Sequence, residues 1–274
     1  MCPLIWIVPG YSGFMHTLTF FPNFLIGRYR FLRMLTAACG VVSPLHAQTL
    51  PDHIVGDVGG AVYSTQSVVT GQKDMLSALP YAYFDYGRFF ARVDTFGIKT
   101  WPLGYGHLEL ATRISFEGFK ADTAPLRGIQ DRANPLPVGI GTFQETPVGG
   151  FFFNALRDTH SGGSLTEFTW ATEFALGRGQ VYPQLGVERR SARYVQSLYG
   201  VSASESLASG YKAYVPGAST MPVVGLGADW PVSGSWVLNA QWRRKFLDAS
   251  LRDSPLVKNA HQDSGYLALT YRFK

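Results

Sequence analysis

Gly265-Tyr-Leu-Ala-Leu-Thr-Tyr-Arg-Phe273, followed by a single Lys274, is the stretch that decides the fold. Leu267, Leu269, Tyr271 and Phe273 are apolar or aromatic, whereas Ala268, Thr270 and Arg272 between them are small or polar. Strict alternation with period 2 gives a strand one apolar and one wet face. A closing strand that ends in an aromatic suits a membrane barrel, where the ring sits in the interfacial girdle and the strand pairs with the first one.

The pattern repeats along the chain. Leu108, Leu110, Thr112, Ile114 and Phe116 oppose His107, Glu109, Arg113, Ser115 and Glu117. Phe168, Trp170, Phe174 and Leu176 oppose Glu167, Thr169, Ala171 and Glu173. Val181, Leu185 and Val187 oppose Tyr182, Gln184, Glu188 and Arg190. Trp236, Leu238, Ala240 and Trp242 oppose Val237, Asn239, Gln241 and Arg243. Segments of about ten residues are the length of a tilted strand crossing a bilayer. A charge facing lipid costs about 2–4 kcal/mol at the midplane. Glu109, Arg113, Glu167, Glu173, Arg190 and Arg243 are therefore expected to face a lumen. Only 16% of residues are charged and 14% are aromatic, and no run of 18 apolar residues suggests a membrane helix.

Strands are expected near 54–65, 78–86, 88–98, 105–118, 137–145, 148–157, 164–176, 180–193, 220–231, 234–246 and 263–273. These are eleven segments, but a bacterial single-chain barrel takes an even number. The expected fold is an all-β, antiparallel transmembrane β-barrel of twelve strands, with ten as the alternative. Ser202 with Glu205 forms a capping box and Gly210 a helix stop, which predicts one short loop helix near 203–209.

The amino terminus reads as an export signal. Arg28, Arg30 and Arg33 precede a short apolar run that ends in small residues, so cleavage is expected between Ala47 and Gln48. Residues before Arg28 read as an extension from a start site placed too far upstream. This assigns 1–47 to the leader and 48–274 to the barrel. The leader holds three arginines and no acid, so the remainder carries 21 basic against 19 acidic residues, a net +2. The formal +5 of the whole chain then says nothing about nucleic acid, and none is expected as a partner. Cys2 and Cys39 both lie in the leader, which leaves no thiol chemistry.

Catalysis finds no foothold. His53, His107, His160 and His261 are scattered and lack metal-ligand spacing. Asp158-Thr-His160-Ser161 lies in a glycine-flanked turn and reads as loop hydrogen bonding. No enzyme, metal or cofactor is expected.

Tyr199-Gly-Val-Ser-Ala-Ser-Glu-Ser206, Ser209-Gly-Tyr211, Tyr214 and Asp253-Ser-Pro-Leu-Val257 resemble motifs of the OmpV/MipA family. Arg193-Tyr194, Leu79-Pro-Tyr-Ala-Tyr83, Gly87-Arg-Phe-Phe90, Val224-Gly-Leu-Gly227 and the Tyr271-Arg-Phe273 ending also match. The resemblance implies a non-enzymatic barrel in the outer-membrane lipid. It further implies a scaffold between a murein synthase and a lytic murein transglycosylase. The alternatives are a narrow diffusion pore, a surface adhesin, or a protein of the osmotic or antibiotic response.

Overall fold

The computed structural model describes residues 50–274, so the expected leader and the Ala47–Gln48 junction lie outside the described residues. The chain forms strands β1 (Val55–Thr65), β2 (Met75–Tyr86), β3 (Phe89–Arg92), β4 (Thr95–Leu103), β5 (Gly106–Arg113), β6 (Pro137–Thr146) and β7 (Gly149–Asp158). It continues with β8 (Ser164–Ala171), β9 (Phe174–Leu176), β10 (Gly179–Arg190), β11 (Ser219–Ser233), β12 (Trp236–Phe246) and β13 (His261–Phe273). Helices α1 (Ala192–Tyr199), α2 (Ala203–Ser209) and α3 (Ala249–Arg252) lie in the loops, with a 3-10 turn at Ala124–Leu126.

Sequential strands pair antiparallel, and β13 returns to β1 with Gly56 opposite Phe273 and Thr65 opposite Ser264, which closes the sheet. β8 and β9 occupy one position against β10. Gln184 faces Ala171 and Val181 faces Phe174 in a single continuous register. The interruption falls opposite Pro183, which has no N–H to give. The result is a closed barrel of twelve strand positions.

The twelfth position comes from 88–98, which reads as one strand in sequence. The chain turns back at Val93-Asp94, so that Arg92 faces Thr95. Val93 adopts a left-handed φ of 62°, a conformation unusual for a β-branched residue, so neither glycine nor proline marks the turn. Two further segments end earlier than expected. The 105–118 segment leaves the sheet after Arg113, and 180–193 leaves it at Arg190, where Ser191 caps α1 and its hydroxyl accepts from the Tyr194 N–H.

The two ends of the barrel differ. At one end lie Val55, Phe273 and five two-residue turns, at 87–88, 104–105, 147–148, 177–178 and 234–235. Four of these turns use a glycine at positive φ, as tight hairpins require. At the other end lie the connections 66–74, 114–136, 159–163, 191–218 and 247–260, which carry every helix among the described residues.

Those long connections fold over the mouth as a cap with its own apolar core. Leu126, Val195, Leu198, Val201, Leu251 and Leu256 are all 1% exposed or less. Ser254 donates its hydroxyl to the Tyr199 carbonyl at 2.6 Å, and the Tyr214 hydroxyl reaches the Ser250 carbonyl at 3.1 Å. The stretches 193–214 and 253–257, which carry the most specific part of the family resemblance, thus supply buried residues of this cap, among them Tyr194, Tyr199, Val201 and Leu256.

Candidate functional site: a capped barrel interior

Inward residues form stacked ionic layers beneath the cap. In the first, Glu188 accepts from Arg190 Nε at 2.6 Å and from Lys245 at 2.9 Å, and Arg190 also reaches Glu117. The Arg190 guanidinium lies 5.1 Å from the Tyr194 ring of α1, which ties this layer to the cap. In the second layer Glu167 accepts from Arg113 and from Arg243, the latter at 3.0 Å. Along the β2–β5 wall, Lys99 pairs with Asp85 at 2.9 Å and Arg92 with Glu109 at 3.5 Å.

Below these layers is a cavity of about 710 Å³. Glu109, Arg113, Glu167, Glu173 and Arg243 line it, whereas Arg190 stands above it in the first layer. Its lower wall includes Tyr105, Pro147, Gly149, Thr172 and Asp229, which belong to the turn end. No residue of the cap contributes to its lining. Near the turn end Arg272 grips Asp57 with two hydrogen bonds of 2.7 and 2.6 Å and reaches Asp229 at 2.7 Å. Glu173 accepts from the Gln180 amide rather than from a guanidinium. The interior is therefore a cup, open toward the turns and obstructed toward the cap.

Several of these partners escape sequence reasoning. Glu188 and Arg272 are visible in the alternation as wet-face residues. Their partners Lys245, Asp57 and Asp229 are not, because only strand order and register bring them together. The Asp158 carboxylate accepts from the Ser161 N–H and hydroxyl and from the Leu136 N–H at 2.6–2.8 Å. That motif pins a turn to a neighbouring loop.

Glu205 of α2 is the charged anchor of the cap. It accepts from Arg132 at 2.8 Å, from the Gln130 N–H at 3.0 Å and from the Ser202 N–H at 2.9 Å. Burial by itself pushes the carboxyl up. The backbone donors and Arg132 outweigh it and bring it to about 2, from an ordinary 4.5. A depressed carboxylate stabilises the folded cap fully above its unfolded value and loses that contribution as pH falls from 4.5 toward 2. Pepsin nicking within 191–218 should therefore rise over that window. Glu205→Gln should raise nicking at the upper end, by the loss of charge-assisted bonds of about 1.5–3 kcal/mol each, and flatten its pH dependence. An unchanged profile in the variant would contradict the assignment.

A closed, even-numbered barrel with an apolar outer face, aromatic ends, tight turns at one end and long loops at the other defines an outer-membrane β-barrel. Comparison with known proteins gives the family. The MipA family, described as MltA-interacting protein MipA, matches residues 58–273, and the chain belongs to it. MltA-interacting protein of Escherichia coli strain K12 is 28% identical over 150 residues, 54% of this chain and 60% of that protein. The chain thus spans less than two thirds of that relative's length. Putative outer membrane protein YiaT of the same strain is 24% identical over 219 residues, 78% of this chain and 89% of YiaT. Among solved structures, a loop L8 deletion mutant of OmpT, an outer membrane protein of Vibrio cholerae, aligns over 81% of this chain and 98% of its own. Its TM-score is 0.30 and its identity 7%. The protein resides in the outer membrane. In such barrels the short turns face the periplasm, so the cup opens inward and the cap faces the medium.

Proposed function

We propose that the protein is a non-enzymatic outer-membrane scaffold that receives its partners from the periplasm. The partner class is a lytic murein transglycosylase together with a murein synthase. The observation that carries this reading is the cup: its lining belongs to the barrel wall and the turn end, and the cap contributes none of it. A docked periplasmic segment would meet Asp57, Glu173, Asp229, Tyr182 and Tyr105 there. Support for the partner class comes from the relative named MltA-interacting protein. Against a diffusion pore stand the two ionic layers, in which Glu188 and Glu167 are each held by two cations and leave no single sign of charge to select ions. Against an adhesin stands the cap itself, whose most specific residues are spent on internal packing.

Pull-down of the detergent-solubilised barrel from envelope extract should enrich both murein enzymes. The Glu173→Arg variant, which reverses charge inside the cup, should retain the fold and lose that enrichment. Recovery of neither enzyme by the unaltered protein would remove the scaffold reading.

A further inference from the structure

The barrel wall is thinnest beside β2. β3 has four residues and pairs with β2 only over Tyr83–Tyr86, while β2 continues to Met75. The Val93 N–H at the hairpin tip donates to the Ala82 carbonyl at 2.8 Å. Backbone groups alternate sides along a strand, so those of Pro80, Ala78 and Leu76 point the same way, above the hairpin. No strand meets them there. Ala78 lies about 27 Å along the strand from Tyr86, or about 20 Å of height at a tilt near 40°, inside an apolar band about 25 Å tall. An open sheet edge at that depth is abnormal in a lipid-facing wall.

The surroundings of this edge are apolar on both sides. On the outer face a groove of about 650 Å³ runs from Leu267 and Leu269 across Gly60 and Val62 to Ala78 and Pro80. At Gly60 a Cβ would meet nothing within 4 Å. On the inner face the Tyr266 ring lies 5.5 Å from that of Tyr63 and 5.3 Å from that of Tyr81, tilted against both, beside Val93. Leu79 shares the inward parity of Tyr81 and Tyr83, yet it is 36% exposed where Tyr81 is 4%. Leu79 also lines the outer groove, so the inward face is reachable from the side at this stretch of β2.

We propose that this stretch is a lateral opening that admits the acyl chain of an outer-leaflet lipid from the outer groove to the tyrosine-lined interior. An added peptide strand fits less well. Pro80 offers no N–H, and its carbonyl already accepts from the Tyr63 hydroxyl at 3.4 Å, the kind of edge that resists strand addition. A second copy inserted the same way would bring its β2 alongside running in the same direction with opposed tilt, which cannot form an antiparallel ladder.

The test uses the full chain with Cys2→Ser and Cys39→Ser, which leaves no other thiol. Leu79→Cys and Ser77→Cys place a bimane label on the inward face at the opening. Thr169→Cys places it in the cavity on the far wall, and Leu267→Cys places it in lipid. In vesicles of phosphatidylcholine with brominated acyl chains, the labels at 79 and 77 should be quenched about as strongly as at 267. That quenching should be at least about threefold stronger than at 169, since contact with bromine needs a chain at bilayer depth. Heat-modifiable migration confirms that each labelled barrel is folded. Labels at 77 and 79 that resist quenching like the one at 169 would overturn the proposal. Disulfide-linked dimers of Leu79→Cys without quenching would overturn it in favour of a second copy.

Discussion

Glu167→Ala should destabilise the folded barrel by about 3–5 kcal/mol, the range for removing one partner from a buried ionic group. Glu167 is 6% exposed and accepts hydrogen bonds from both Arg113 and Arg243, which reach it from β5 and β12 across the interior. Truncation leaves two guanidinium groups facing each other with no counter-ion. Glu167→Gln keeps the shape and one acceptor but still loses the charge, so its cost should fall between the alanine variant and the unaltered chain. Urea midpoints of the vesicle-refolded barrel measure both. A cost below about 1 kcal/mol, the value for solvated pairs, would mean that water fills this layer and that the interior is open.

Leu269→Arg should impair assembly by about 2–4 kcal/mol, and Glu173→Arg should leave it nearly unchanged. Leu269 points to lipid at 50% exposure, between Gly60 and Leu238, four residues inside the Phe273 end. A guanidinium there stands well within the apolar band. Glu173 lies between β8 and β9 and lines the cavity. Trp170→Arg should cost about as much as Leu269→Arg, because Trp170 faces Phe151 two residues inside β7 as Leu269 faces Leu238 two residues inside β12. The Trp170 indole also donates to the Val148 carbonyl of a periplasmic turn at 3.0 Å, a bond that this variant loses. Folded yield by heat-modifiable migration ranks the three variants. Equal yields would contradict the assignment of faces.

Most of the barrel is legible in the sequence because lipid outside and ion pairs inside impose period 2 on nearly every strand. Leu267 to Phe273 and Trp236 to Trp242 read directly onto the two faces of β13 and β12. The turn at Val93-Asp94 reads less directly: Asp94 is its only ordinary turn former, Val93 takes the left-handed position in place of a glycine, and the outward apolar residues slip from odd positions, Phe89 and Ala91, to even ones, Phe96 and Ile98. α2 is legible from Ser202, Glu205 and Gly210, whose capping box and left-handed stop are present in the structure. α1 is not, because 180–193 reads as one strand although its apolar alternation stops at Val187. Its spacing of Tyr194, Val195, Leu198 and Tyr199 is helical, and those four are its buried residues. In the interior, the wet-face charges are readable one by one. Their pairing is not, because Arg243 and Glu167 stand 76 residues apart and meet only through the closed register of the sheet.

The interior is a periplasm-facing cup obstructed toward the medium. Single-channel recording of the purified barrel in a planar bilayer tests it most directly. The unaltered protein should show no stable open level, and Glu167→Ala, which breaks the second ionic layer, should raise the frequency of openings. A large, stable conductance in the unaltered protein would mean that the interior is open and the chain a pore.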